Sequence, residues 1–149
     1  MNQHTSMPLK KLGWMGIMCM VFLPVANVQS QNPLTSPLVW SISQGYDLKA
    51  EASFSYTSTL TTHGTADIQW TQGNGEFVSS FDVTSTEGTW PDAASNGSLI
   101  FYITSEGSSG TLKFERTAEG VFVTLDFPAN DPQGTRMKFQ VSNINPGNE

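Results

Sequence analysis

The run Asp47-Leu48-Lys49-Ala50-Glu51-Ala52-Ser53-Phe54-Ser55-Tyr56 decides the fold class of this chain. Leu48, Ala50, Ala52, Phe54 and Tyr56 fall on one side of a period of two, and Asp47, Lys49, Glu51, Ser53 and Ser55 on the other. Successive side chains of a strand point to opposite faces, so this is the pattern of a strand with one dry and one wet side. A helix would scatter the same residues around its circumference.

The same period extends outward in both directions. Upstream, Leu38, Trp40 and Ile42 alternate with Val39, Ser41 and Ser43. Downstream, Ala66, Ile68 and Trp70 form one set, and Phe77, Ser79, Phe81 and Val83 another, with Val78 breaking the polarity of its own side. Gly88-Thr89-Trp90 reads as a short strand leading into a loop from Pro91 to Gly97. Leu99, Phe101 and Ile103 follow, then Leu112, Phe114 and Arg116, then Val121, Val123, Leu125 and Phe127, and last Met137, Phe139 and Val141. Val, Ile, Thr and aromatic residues fill these runs, while Gly, Asn, Asp and Pro fill the gaps, giving about eight or nine short strands and no helical stretch. Parallel strands need crossovers of a dozen or more residues, and the connections here are short. The expected architecture is an antiparallel meander, either a small flattened barrel or a two-layer sandwich. Periodicity alone does not choose between them, although the local connections favour the barrel.

The first 30 residues stand apart. Lys10 and Lys11 precede an apolar run from Leu12 to Val25, followed by Ala26-Asn27-Val28-Gln29-Ser30. That order reads as a secretory signal peptide cleaved after Ser30. The apolar run is shorter than the ~20 residues that span a bilayer, which argues against a retained anchor. Met18 before Cys19 does not fit the small residue expected before a lipidated cysteine. The expected organisation is a leader at 1–30, a linker at 31–37, one β domain at 38–144 and a tail at 145–149. Export places the domain in a periplasm, on a cell surface or outside the cell.

Removing residues 1–30 from the 149 leaves 119, enough for one domain. The seven Lys and Arg residues include the two of the leader, so five remain against all 13 acids, a formal net charge of −8. Such a surface repels nucleic acid and anionic lipid, which are bound through clustered cations. The single cysteine, Cys19, leaves with the leader, so thiol catalysis and cysteine-held zinc are excluded and the domain must fold on its apolar core.

Candidate chemistry is sparse. His63, in Thr61-Thr62-His63-Gly64, is the one histidine of the mature chain, and no G-x-S-x-G elbow is present. Asp47, Glu51, Asp67, Glu76 and Asp82 sit on polar strand faces, where solubility accounts for them as well as glycosidase chemistry does. Asp92/Asn96 and Asn130/Asp131 are poor matches to a calcium loop. The reading is therefore no catalytic residues, no metal site and no cofactor. An outer-membrane barrel is the third architectural alternative, disfavoured by strands shorter than the ~9–11 residues it requires.

The aromatic and charged misfits carry the functional expectation. Trp40 and Trp70 read as core. Trp90, at a loop before Pro91, reads as exposed. Ile100, Tyr102 and Phe122 are out of phase with their apolar neighbours and point outward together, as a patch that marks a partner or ligand surface. Arg116 falls on the inward phase, where a cation at a barrel mouth meets an anionic head-group. Gly88-Thr89-Trp90 resembles the Gly-x-Trp start of lipocalin-like chains, but stands mid-chain and is too short to carry site residues over. The leading expectation is an exported non-enzymatic β-domain that binds a protein, a glycan or a small apolar ligand through Trp90, Ile100, Tyr102 and Phe122. The alternative is a carrier of an apolar ligand inside the barrel, with room supplied by Ala50, Ala52, Ala66 and Ser79 and with Arg116 at the mouth. A hydrolase using His63 stands third.

Overall fold

The computed structural model describes residues 31–128 and 134–148; the expected leader at 1–30 and the Asn130/Asp131 loop lie outside the described residues. The strands are β1 (Leu38–Asp47), β2 (Ala52–Thr62), β3 (Asp67–Gln72), β4 (Phe77–Thr89), β5 (Gly97–Ser105), β6 (Ser108–Thr117), β7 (Gly120–Phe127) and β8 (Thr135–Pro146). Each pairs antiparallel with the next, and β8 pairs back onto β1, so the eight strands close as an up-and-down barrel. Closure chooses the barrel over the sandwich and leaves as free edges only the stretches where a strand outruns its neighbour, as β4 does before Asp82.

The alternation that defines the strands also fills the barrel. Leu38, Trp40 and Ile42 of β1, Leu99, Phe101 and Ile103 of β5, Leu112 and Phe114 of β6, and Val121, Val123 and Leu125 of β7 are buried. Eight strands leave an interior just wide enough for side chains or for one small ligand. Here large rings occupy it. Near one end Trp40 packs on Phe114 (centroids 4.7 Å) and Trp90 (5.7 Å), and Phe114 on Phe101 (5.4 Å). Toward the other, Phe139 packs on Trp70 (5.3 Å) and Tyr56 (5.7 Å), and Phe81 on Trp70 (6.4 Å) and Phe127 (6.1 Å). These separations are those of interlocked aromatic pairs.

Two buried polar residues belong to the same packing. Trp40 Nε1 donates to Thr62 Oγ1 at 3.1 Å, and Trp70 Nε1 to Ser58 Oγ at 3.0 Å. A buried indole N–H without an acceptor costs about 1–3 kcal/mol, so these hydroxyls are what admit tryptophan to the interior. Among the described residues no buried side-chain N or O atom lacks a partner.

The run Asp47–Tyr56 divides differently from its alternation. β1 ends at Asp47 and β2 begins at Ala52, with a turn between them. Asp47 Oδ1 accepts the amides of Lys49 (2.8 Å) and Ala50 (2.9 Å), folding the chain back on itself. The same two bonds, Ala50 first, hold the Asp47 carboxyl below its ordinary pKa. Glu51 takes φ +52° to complete the reversal. Ala50 in this turn and Ala52 at the first position of β2 are exposed at the rim, and Ala66 is exposed in the β2–β3 turn, so none of the three makes room in the core.

The end at which β1 begins is capped. Residues 31–37, expected as a linker, form a turn in which Thr35 and Ser36 amides donate to Asn32 O (3.0 and 2.9 Å), and Leu34 packs on the core. Loop 90–96 folds over the same end. Trp90 enters the core with 1% exposure, Ala93 N–H donates to Gln31 O (2.8 Å), and Arg116 Nε donates to Ala93 O (2.7 Å). The chain end expected to begin a tail at Asn145 stays paired: Asn145 and Pro146 oppose Val39 and Leu38 in β1.

Candidate functional site

Five residues were expected to form the site, and the barrel distributes them over four places. Trp90 is the clearest correction. It is interior, packed at a tilt against Trp40, with Nε1 donating to Ser95 O at 2.8 Å. It fits there because Gly97 has no side chain; a Cβ at that position would lie 2.4 Å from Trp90 Cδ1. Nothing outside the protein reaches the indole.

Arg116 lies on the inward phase at the capped end, as its spacing suggested. Its Nε is engaged by Ala93 O, and it borders a cleft of about 300 Å³ with Gln31, Ala93, Val121, Val141 and Ile144. Three residues of the cleft's lining, Ala93, Val121 and Val141, belong to the core cluster, and none of the interior rings lines it.

Ile100, Tyr102 and Phe122 do point outward, but not as one patch. Ile100 and Tyr102 are neighbours on β5, with Glu87 of β4 opposite Ile100 on one side and Lys113 of β6 on the other. Tyr102 is 37% exposed, and its phenol donates to Glu87 Oε2 at 2.7 Å. That bond, reinforced by the charge of Glu87, raises the phenol above its ordinary pKa of 10.0. Phe122 lies two strands away on β7, beside an ion cluster in which Glu115 of β6 binds Lys113 and, at 3.7 Å, Lys138 of β8. Lys138 Nζ sits 4.2 Å from the Phe122 ring centroid and roofs it. The cluster separates Phe122 from the β5 pair.

Among the described residues the most exposed large hydrophobics are Val78, which in the sequence breaks its strand's polarity and is a candidate for the outward patch, and Phe77, which reads there as inward. Phe77 is 65% and Val78 58% exposed, at the start of β4. Phe77 holds the inward phase expected of it, but it follows the turn at Gly73–Gly75 and stands at the rim. Among the described residues Phe77, Val78 and Tyr102 are the exposed large hydrophobics, and all three lie on β4 and β5.

Charge singles out the same wall. From Ala50 to Leu112 there is no Lys or Arg, while Asp67, Glu76, Asp82, Glu87, Asp92 and Glu106 accumulate between residues 67 and 106. The cations sit elsewhere: Lys49 donates to Gly134 O, Arg136 pairs with Asp126 (3.3 Å), and Lys113 and Lys138 hold Glu115. The barrel therefore has an acidic, partly apolar wall and a mixed-charge wall.

The groups considered for chemistry are dispersed. His63 Nδ1 lies 3.1 Å from Asp67 Oδ2 in the β2–β3 turn, and no hydroxyl among the described residues is bonded to its ring. Asp92 spends its carboxylate on the Ala94 amide (2.9 Å) and the Ser95 hydroxyl (3.2 Å), shaping the capping loop. No three His, Cys, Asp or Glu side chains among the described residues come together as metal ligands. No described helix is long and apolar enough to cross a membrane. Six of the eight strands run nine residues or more, longer than their spacing suggested, so strand length does not count against a membrane barrel. The outward positions of β2 (Ser53, Ser55, Thr57, Thr59 and Thr61) nevertheless offer no apolar band of the kind lipid requires.

Comparison of the chain with protein-family models, with curated proteins and with solved structures gives no match.

Proposed function

We propose that this chain is an exported, non-enzymatic binding domain that meets a protein or glycan on the outer wall formed by β4 and β5, around Ile100 and Tyr102. The observation that carries the reading is the filled interior. Interlocked rings occupy the space a carried ligand would need, and the alanines expected to make room are exposed at the rim or in turns. Binding is thereby left to the surface, and β4–β5 is where apolar exposure and unbalanced charge coincide. Tyr102 suits such a wall, because its ring offers apolar area and its hydroxyl, held by Glu87, is fixed in place.

The test is the double variant Ile100→Thr/Tyr102→Ser. Its stability is expected to stay within about 1 kcal/mol of the parent, since both side chains face outward. Co-sedimentation with the envelope fraction of the producing cell is expected to weaken at least tenfold. Unchanged co-sedimentation would place the site on another wall, and a much larger stability loss would make these residues part of the core.

A further inference from the structure

The first half of β4 is an open sheet edge. β4 pairs with β3 over Phe77–Asp82 and with β5 only over Asp82–Thr89, changing partner at the bulge between Val83 and Ser85. Among the described residues, no strand pairs with the β5-facing side of Phe77–Phe81. Backbone groups alternate in direction along a strand. Val83 N–H points to β3, donating to Ala66 O (3.2 Å), and Ser80 O points the other way, accepting Ser105 Oγ (3.3 Å). The N–H and C=O of Val78 and the N–H of Ser80 therefore face the gap beside β5. That gap is a groove of about 460 Å³, bordered by Val78, Ser80, Asp82, Thr104, Ser105 and Glu106.

Edges are normally blunted by lysine, proline or a bulge. Phe77-Val78-Ser79-Ser80-Phe81 has no lysine or proline, and the bulge lies beyond it. It carries instead the two most exposed large hydrophobics among the described residues, Phe77 and Val78. The charge around it identifies the occupant. Glu76 precedes the edge, Asp82 and Glu106 border the groove, and no Lys or Arg lies between residues 50 and 112. A second copy pairing through the same edge would set these acids against one another, and like charges facing across a strand pair destabilise it. A basic, extended polypeptide meets no such penalty.

We infer that the Phe77–Phe81 edge of β4 is a strand-addition site for an extended cationic segment of a partner polypeptide. Main-chain bonds to Val78 and Ser80 give the register, apolar side chains of the segment lie beside Phe77 on the inward face, and its cations, on the other face, run their stems along Val78 toward Asp82 and Glu106. The inference rests on the outer-wall reading above and narrows its partner to a polypeptide.

The test uses a blocked seven-residue peptide alternating lysine with valine, the same peptide with glutamate for lysine, and a copy N-methylated at alternate residues. With the isotope-labelled mature domain, the lysine peptide is expected to bind one to one. It is also expected to slow hydrogen exchange of the Val78 and Ser80 amides at least tenfold. The glutamate and N-methylated peptides are expected to bind at least tenfold more weakly. Ser80→Pro removes an N–H that serves no β3 bond, so it should fold and lose the lysine peptide; Val78→Lys, with a cation on the edge, makes the same comparison should the proline variant not fold. Equal binding by the N-methylated peptide would reduce the effect to charge attraction and overturn the inference. Absence of binding, or a dimer in sedimentation that Val78→Lys dissociates and the peptide does not, would overturn it too. Either result, with Tyr102-dependent association intact, leaves the outer-wall reading standing.

Discussion

Replacing Trp90 by alanine is expected to lower the unfolding free energy by about 3–5 kcal/mol, the range for emptying a buried aromatic site. The indole is 1% exposed, lies against Trp40 with centroids 5.7 Å apart, and bonds Ser95 O through Nε1. It is also the anchor of loop 90–96. Without it, Ala93 loses the support that presents its amide to Gln31 and its carbonyl to Arg116. Urea unfolding checks this: the midpoint should fall while the slope stays constant, since the surface exposed on unfolding hardly changes. A loss under about 0.5 kcal/mol is what a surface residue gives, and would return Trp90 to the outside of the barrel.

Gly97→Ala should cost about 1–3 kcal/mol for the opposite reason, overpacking. The added methyl would lie 2.4, 2.8 and 2.9 Å from Cδ1, Cγ and Nε1 of Trp90, and a ring buried between β5 and Trp40 has little room to retreat. The glycine is required by this close approach of the ring. The two substitutions should therefore be strongly non-additive, because with Trp90→Ala in place the methyl at position 97 enters vacated space. Urea unfolding of the four proteins of the cycle measures the coupling. Additive losses would show that Gly97 and Trp90 do not share that space.

The contrast between Trp90 and its neighbours shows what a sequence can and cannot disclose. Leu112 and Phe114 were legible as interior because Thr111, Lys113 and Glu115 alternate with them, and a period of two records which side of the strand is wet. Trp90 lies past the end of β4, where no period applies, and its burial depends on Gly97 and on Trp40 of a distant strand. β2 was half hidden because two of its inward positions are Ser58 and Thr62, which read as polar but serve the indoles of Trp70 and Trp40. Leu48–Glu51 misled in the other direction. It alternates, yet the Asp47 carboxylate captures two amides and turns the chain.

The site was legible only in part. The outward phase of Ile100, Tyr102 and Phe122 followed from their neighbours, but whether they adjoin depends on strand register, which alternation does not encode. The register puts Glu115 between Lys113 and Lys138 and so divides the patch. The absence of cations between Ala50 and Leu112 was present in the sequence throughout. Its meaning emerged once β3, β4 and β5 were seen to share one wall. The free edge of β4 was not legible, because it arises from β4 being longer than its pairing with either neighbour.

The measurement that bears most directly on the proposal of a filled barrel that binds through its outer wall is native mass spectrometry of the protein freshly purified from the producing cell. The expected spectrum shows the polypeptide beginning at Gln31 with no small molecule attached, because the aromatic side chains already occupy the interior. A stoichiometric apolar molecule that survives purification, and is released only on unfolding, would contradict this and make the barrel a carrier.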